Sequence, residues 1–507
     1  MDEIELKFLI EAGEANALIR HAIALAAPGT RPRVRTLRTI YFDTADERLA
    51  EAGIALRLRR TDNRWVQTVK SGRALASGLS RTEEIDAPSP DGRIAIDRIT
   101  DEALREELRK LLRPALLEPL WETRIKRTTV QIEADGARAE LAIDSGTIVA
   151  GERSVPHHEM EIELICGTPA DLFAFARRLI PASGVRFSSL PKSARARRLA
   201  RGKPIEPPPA PRKAGKIAPR AGDSVELAAK ALLRDCLGQI AANVTAVRVL
   251  DSSEAPHQLR IGLRRLRTAL RLYAPAIGSA EADRLGDEAR WLGRAVSPLR
   301  DLDVASAEAA ERARTAPARA GLGMLAQRLR KRADAERVIV RRLLGEERAQ
   351  MLLIDLAAFV EAGDWREGNA AALDQTIEDF ATAALDRLWH KTRKQGDRID
   401  ELDAEARHAM RKTLKKLRYA TDHLAPLLAG KAATRFAKRL RKLQDRFGAM
   451  NDAVMFAALL ADPRIDRPGE QRAIGWMLGA TREAADLGWP KVRRGWRRLD
   501  AAGRYWH

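Results

Sequence analysis

The sequence predicts two domains of different class, an α+β domain over residues 1–200 and an all-α domain over residues 223–507, joined by a proline-rich basic linker at 201–222. Three observations carry this. Segments before the linker are short, β-branched and alternating, whereas those after it are long, rich in alanine and leucine and punctuated at helical spacing. The linker, "RGKPIEPPPAPRKAGKIAPRAG", has no apolar period, as expected of a semi-rigid spacer. The second half also repeats itself: "HQLRIGLRRLRTALRLYAP" from His257 returns as "HAMRKTLKKLRYATDHLAP" from His408, 151 residues later. The same offset carries Leu292 onto Leu443 and Asp301 onto Asp452. Two motifs at one offset mean a duplicated unit, hence two pseudo-symmetric helical bundles at about 223–350 and 375–500.

Composition narrows the function. Two cysteines, Cys166 and Cys236, cannot build a disulfide framework or a multi-cysteine metal site, which points to a reducing compartment. No apolar run approaches the roughly 18 residues of a membrane span, and an N-terminus acidic from Asp2 is unlike a signal peptide. The expectation is a cytoplasmic protein with no membrane partner. A net charge of +20, with only four tyrosines and ten phenylalanines, attracts polyanions while offering few stacking surfaces.

Read as a strand, the opening stretch "MDEIELKFLI" turns Glu3, Glu5 and Lys7 to one side and Ile4, Leu6 and Phe8 to the other. The pattern recurs: Arg57 and Arg59 in "GIALRLRR", Lys70 near the end of "RWVQTVKS", Glu140 and Asp144 in "AELAID", and Glu159, Glu161 and Glu163 in "HEMEIELI". Three glutamates about 7 Å apart on one strand repel unless water screens them or a cation joins them. Facing outward, these side chains decorate an ordinary sheet. Converging, they make a charged tunnel, with carboxylates for a hard cation such as Mg²⁺ or Mn²⁺ and Arg/Lys for phosphate oxygens. Helices such as "DEALREELRKLL" and "PADLFAFARRLI" would then cover the apolar outer faces.

These residues resemble the CYTH domain, the triphosphate tunnel metalloenzyme family. "EIELKF" resembles its ExExK signature, and "YFDT" (41–44), "GIALRLRR" (53–60), "WVQTVKSG" (65–72), "RIKRT" (124–128), "AELAIDSGTIVAG" (139–151), "HEMEIEL" (158–164) and "PKSARARRL" (191–199) follow in family order. The resemblance implies an antiparallel β-barrel whose tunnel holds one or two divalent cations and a triphosphate. It implies metal ligation by Glu3 and Glu5 with Glu161, joined by Glu159 or Glu163, and with Asp144 as a ligand or behind the ligands. It implies phosphate contacts from Lys7, Arg57, Arg59, Lys70, Arg124, Arg127 and Lys192, with Arg81 of "LSRTEEID" added on the face it shares with Glu83. The last motif departs from the family's usual "SKxERG": Pro191 precedes Lys192, and Ala194 and Ala196 stand where Glu and Gly are common.

In the second domain, a helical step of about 100° puts His257, Arg260, Arg264, Arg267 and Arg271 in one sector of about 80°, beside a core-facing sector of Leu259, Leu263, Leu266 and Leu270. His408, Arg411, Lys415 and Arg418 repeat the stripe, broken only by Asp422. Like charges at this spacing repel by a few tenths of a kcal/mol per pair, so a stripe kept in both copies points to an anionic ligand. The two motifs resemble the CHAD domain, a helical module often fused to CYTH and associated with binding inorganic polyphosphate. The resemblance makes His257, Arg260, Arg264, Arg265, Arg267, His408, Arg411, Lys415, Lys416 and Arg418 the contact candidates. For the two histidines, packing against the leucine face stays open beside ligand contact. Trp476, Trp489, Trp496 and Trp506 read as core residues.

The expected function is metal-dependent hydrolysis of inorganic triphosphate or another short polyphosphate in the tunnel, with longer polyphosphate bound by the helical domain. The alternatives are an enzyme acting on an organic triphosphate such as thiamine triphosphate or a nucleotide, including cyclisation of ATP, and a non-catalytic polyphosphate-binding protein. A nucleic-acid partner accounts for the charge but for neither the glutamate strands nor the duplicated motif.

Overall fold

The computed structural model describes the chain except for residues 1, 63, 75–77, 189, 315–318, 429, 462–464 and 466, and except for the side chains at 2, 73, 74, 319, 320, 449–455 and 484–486, which include Asp452. It divides into two compact units: Met1–Pro209 with Gly345–Gly363, and Ala210–Leu344 with Asp364–His507.

In the first unit eight strands close into an antiparallel barrel: β1 (Asp2–Leu9), β2 (Arg33–Asp43), β3 (Ile54–Thr61), β4 (Arg64–Ala74), β5 (Leu79–Pro88), β6 (Glu118–Ala134), β7 (Ala137–Ala150) and β8 (Arg153–Cys166). They are ordered β1-β5-β4-β3-β2-β6-β7-β8 around the wall. Closure removes every sheet edge. The pattern is inverted relative to a barrel with an apolar filling: charged residues point inward, and the apolar core lies between the outer wall and the helices.

Ile54, Leu56 and Val69 on the outside of β3 and β4 pack with Ile99, with Leu49 of α2 (Arg48–Glu51) and with Leu108 of α3 (Glu102–Leu112). Each such side chain removed from water contributes about 1.5–3 kcal/mol. Asp101 caps α3 by accepting from the Leu104 N–H at 2.8 Å. The preceding helix, α1 (Ala15–Ala24), packs on β6 and β7.

Helix α4 (Pro169–Arg178) starts with a Thr168/Asp171 capping box and buries Leu172, Phe173 and Phe175. It lies on β1 and β8, and on it packs the helix Glu347–Ala362, drawn from far along the chain. Helix α5 (Lys192–Ala200) sets Ala196 and Leu199 against Tyr41, Trp121, Ile148 and Ala150.

The second unit is helical. Its helices are α6 (Val225–Val249), α7 (Glu254–Leu272), α8 (Ala274–Ile277), α9 (Ala280–Ala295), α10 (Ser297–Arg312) and α11 (Arg319–Gly345). After the Glu347–Ala362 helix, α12, come α13 (Ala370–Asp374), α14 (Ile377–Gly396), α15 (Ala404–Leu424), α16 (Lys431–Leu460) and α17 (Pro468–Asp500).

The repeat is structural as well as sequential. Moved by 151, the starts of α6, α7, α9 and α11 fall at 376, 405, 431 and 470, against observed starts of 377, 404, 431 and 468 for α14 to α17. The copies differ where Pro298, lacking an N–H, opens a new helix after Val296, so that the first copy has α9 and α10 where the second has the single α16. The predicted tryptophan core is present for Trp496 and Trp506, which cluster with Trp389 and Phe436. Gly396 makes room for the Trp496 ring, since a Cβ there would overlap the indole.

Candidate functional site

Register carries the first strand's charges into a site. Within the barrel Glu5 lies beside Glu163 of β8 and Ser80 of β5, Lys7 beside Glu161, and Glu3 beside Thr82. Asp144 of β7 lies opposite Glu159 of β8. Glu3, Glu5, Lys7, Arg57, Arg59, Lys70, Arg127, Glu161, Glu163 and Lys192 all line one cavity of about 590 Å³. Asp144 and Glu159, each 1 % exposed, stand directly behind that lining.

The tunnel has two chemically different regions. At the first, the ammonium of Lys192 lies 2.6 Å from Glu159, 2.6 Å from Glu161 and 2.9 Å from Asp144. Arg127 forks onto Asp144 at 2.7 and 2.8 Å and also reaches Glu161 at 2.5 Å. Fully buried Arg195 joins Glu159, 2.8 Å away, to Glu206. Burial raises the Glu159 and Glu161 carboxyls, but Lys192 and its neighbouring cations outweigh it and hold both well below the usual range. Here acid and base balance.

At the second region they do not. Glu163 is pushed up to about 7 by burial and then by Glu3 and Glu5, and Glu3 is raised by burial and by Glu5 despite its bond from Lys70. Across the cavity, Arg59 is lowered to about 10 by burial and then by Arg57 and Arg127. Its Nε donates to Thr39 Oγ1 at 3.4 Å, and among the described residues no carboxylate pairs with it. Glu5 is paired with Lys7 at 2.8 Å and Glu3 with Lys70, whereas Glu163 on one wall and Arg59 on another are left without an opposite charge among the described residues.

Two sequence-predicted phosphate contacts fall elsewhere. Arg124 is on the outer face of β6, where it donates to Glu122, 2.6 Å away, alongside Arg38. Arg81 is exposed on the outer face of β5. Period two is preserved, but the inward set is Ser80, Thr82, Glu84 and Asp86.

Glu84 is therefore a tunnel-lining carboxylate that the sequence does not single out. It bonds Arg57 and Lys70, and although burial raises its carboxyl, Arg57 and Lys70 hold it at about 2. Leu79 and Ile85 carried the signal: apolar residues on the odd-numbered face mark it as the wall covered by helices. Arg195 and Ser188 were also passed over, because they support Glu159 from outside any strand pattern.

Carboxylate oxygens are the donors that hard divalent cations prefer. Oxygens of Asp144, Glu159 and Glu161 come within 4.8 Å of one another, a donor set of that kind, with the Lys192 ammonium already among them. The Glu3, Glu5 and Glu163 wall fits such an ion by charge, since a divalent cation offsets both the burial and the Glu3 and Glu5 repulsion that raise Glu163.

In the helical unit, α7 and α15 pack together and bring their stripes into one patch. Arg264 Nε donates to the Tyr419 hydroxyl at 2.9 Å, and the Tyr419 ring lies 5.7 Å from the Arg264 guanidinium and 5.1 Å from that of Arg418. Lys415 is lowered to about 7 by burial and then by Arg264, Arg411 and Arg418. Arg260 pairs with Asp301 at 3.0 Å, joining the two duplicated motifs within the first copy.

Half-buried His257 is lowered by burial and then by Arg300. His408 is exposed near the start of α15. Arg267 and Lys416 form a second flank with Arg271 and Lys391. Arg265 does not join the patch. It turns inward to Asp235 at 2.9 Å and Gln239 at 2.6 Å, an internal network that also ties down Arg212.

No helix among the described residues is long and apolar enough to cross a membrane. Residues 1–196 match the family described as the CYTH domain, and residues 231–461 the family described as the CHAD domain. An inorganic triphosphatase of Haemophilus influenzae is 32% identical over 164 residues, covering 31% of this chain and 44% of that protein, so the match spans less than half of the relative. Among solved structures, the CHAD domain of the plant Ricinus communis aligns with a TM-score of 0.49 and 28% identity over 57% of this chain and 96% of that one. A Hippeastrum adenylyl cyclase candidate with a dominant triphosphatase activity aligns with a TM-score of 0.27 and 20% identity, over 40% and 99%.

Proposed function

The chain carries a CYTH domain followed by a CHAD domain, and on that premise we propose that its barrel hydrolyses inorganic triphosphate with a divalent cation, Mg²⁺ or Mn²⁺, while its helical unit binds longer polyphosphate. One observation carries the reading most directly: Glu163, raised by burial and then by Glu3 and Glu5, has no cationic partner among the described residues, and Arg59 has no carboxylate partner. A cation bound together with a triphosphate supplies both.

Each group then has a task. Arg57, Arg59, Lys70, Arg127 and Lys7 neutralise nonbridging phosphate oxygens, where charge spreads as the phosphoanhydride breaks. Arg59 is the freest to do so, because it releases no carboxylate on binding. Glu3, Glu5, Glu161 and Glu163, with Asp144 and Glu159 behind, would hold the metal, which when bound supplies charge neutralisation and a lowered pKa for an attacking water. Glu84 keeps Arg57 and Lys70 aimed into the tunnel.

In the helical unit, the patch of Arg260, Arg264, Arg411, Lys415 and Arg418 supports a ligand with repeated negative charge. A flexible phosphate polymer matches two converging stripes, and the small number of exposed aromatic rings disfavours base stacking. A cytoplasmic location is part of the same reading.

The test is phosphate release from inorganic triphosphate by the full chain, with and without Mg²⁺ or Mn²⁺, for wild type and Glu5→Gln. Metal-dependent release lost in the variant supports the proposal. Equal release by both proteins, or release that persists in excess chelator, contradicts it.

A further inference from the structure

The geometry assigns to Gln350 a positioning role in the tunnel: from α12, lying in the chain between the two helical repeats, it fixes the segment Val185–Ser188 that holds Lys7 and Glu159 in place. The assignment rests on the catalytic reading above for its kinetic consequence but not for its structural one.

Gln350 is 1 % exposed, and its Oε1 accepts the Val185 N–H at 2.6 Å. From there the segment runs along β1. The Arg186 carbonyl accepts the Leu9 N–H at 2.8 Å, the Phe187 ring packs on Phe8 at 5.4 Å between centroids, and the Ser188 N–H donates to the Lys7 carbonyl at 2.9 Å. Gly78, at a φ of +79°, lets its own backbone approach so closely that a Cβ would lie 2.5 Å from the same Lys7 carbonyl. Ser188 Oγ then donates to Glu159 Oε1 at 2.9 Å and accepts from Arg195 at 2.5 Å. Four residues thus lead from Gln350 to a buried carboxylate of the cluster and to the strand that carries Glu3, Glu5 and Lys7.

The helix bearing Gln350 is anchored independently. It buries Leu352, Leu353, Leu356, Phe359 and Val360, and Asp355 accepts from Arg177 of α4 at 2.7 Å. Its neighbours in sequence on both sides, up to Leu344 and from Asp364, belong to the helical unit, while Gly345–Gly363 belongs with the barrel. The tunnel domain is therefore discontinuous in sequence, and a piece of the chain read as helical-domain sequence is part of its framework. Without the Gln350 acceptor, the Val185 N–H is buried and unpaired, and the segment gains freedom at the end that sets Ser188.

The experiment uses the full chain and three proteins: wild type, Gln350→Met, which keeps volume and loses the acceptor, and Leu356→Ala, which weakens packing of the same helix alone. Amide hydrogen exchange over 183–188, Mn²⁺ binding, thermal midpoint, and kcat and KM for triphosphate are measured where all three are folded. Gln350→Met is expected to speed exchange across 185–188 by about tenfold or more, weaken Mn²⁺ binding, and lower kcat/KM by about tenfold. Leu356→Ala is expected to lower the midpoint while leaving kcat near wild type. Exchange within twofold of wild type in Gln350→Met overturns the assignment, as does faster exchange with Mn²⁺ binding and kcat unmoved. If the wild type releases no phosphate, the catalytic reading falls, and the exchange and Mn²⁺ arms still decide this one.

Discussion

Replacing Lys415 with methionine should remove a proton that the protein takes up when it binds a polyanion. Lys415 is lowered to about 7 by burial and then by Arg264, Arg411 and Arg418, so at pH 8 about 90 % of it is neutral in the free protein. Phosphates placed among those guanidiniums cancel the repulsion and return the amine toward its ordinary value of 10.5. At Lys415, binding at pH 8 therefore takes up about 0.9 proton, and at pH 6, where that amine is already charged, about 0.1. Calorimetric titration with polyphosphate in two buffers of different ionisation heat gives the number directly.

The sign for stability follows from the same shift. The unfolded chain holds this proton up to about 10.5 and the folded one only to about 7, so stability is lost as pH falls from 10.5 to 7 and the free protein melts higher at pH 9 than at pH 7. Lys415→Met should reduce that slope and lower the uptake at pH 8 by about 0.9, leaving the uptake of Lys416, which is also lowered by burial and then by Arg271. Uptake below about 0.2 at pH 8 in the wild type, or unchanged uptake in the variant, would mean that Lys415 is not the neutral amine among those guanidiniums.

Arg59→Met should raise KM for triphosphate by about 10- to 100-fold, the loss expected for a charged hydrogen bond, with little change in thermal midpoint because no carboxylate is orphaned; steady-state kinetics and a melt decide it. Arg81→Ala and Arg124→Ala, on the outer wall, should leave phosphate release within about twofold of wild type, whereas Glu84→Gln should lower it by about tenfold or more by freeing Arg57 and Lys70. Polyphosphate binding should weaken steeply with salt, and Arg264→Ala should reduce the slope of log K against log[salt] by about one.

Much of this was legible in the residues, for a reason that also explains what was missed. Alternation on β1, β3 and β8 fixes which side chains share a face, so Glu3, Glu5, Arg57, Arg59, Glu161 and Glu163 could be grouped before any fold was known. Which face turns inward is a tertiary fact. On β5 and β6 the charges are divided between both faces, and there the reading chose Arg81 and Arg124 over Glu84. Lys192 was reached through a motif that departs from its family, yet its ammonium lies among three carboxylates. The first turn of α5 suffices to aim it there, whichever residues follow.

Helical period placed the stripes of α7 and α15, but period cannot tell a solvent-facing arginine from one that turns to a neighbouring helix. Arg265 did the latter, because Asp235 on α6 was 30 residues away in sequence and invisible to a helical wheel. The Glu347–Ala362 helix shows the same limit at larger scale. Its composition is that of a helical bundle, and only long-range packing assigns it to the barrel.

If metal and triphosphate together complete the charge distribution of the tunnel, each should bind better in the presence of the other. Mn²⁺ affinity measured on the full chain with and without a non-hydrolysable triphosphate analogue tests it most directly. The expected result is a Mn²⁺ site at least tenfold tighter in the presence of the analogue, with the coupling lost in both Glu5→Gln and Arg59→Met. Mn²⁺ binding that is indifferent to the analogue, or coupling that survives both substitutions, would contradict it.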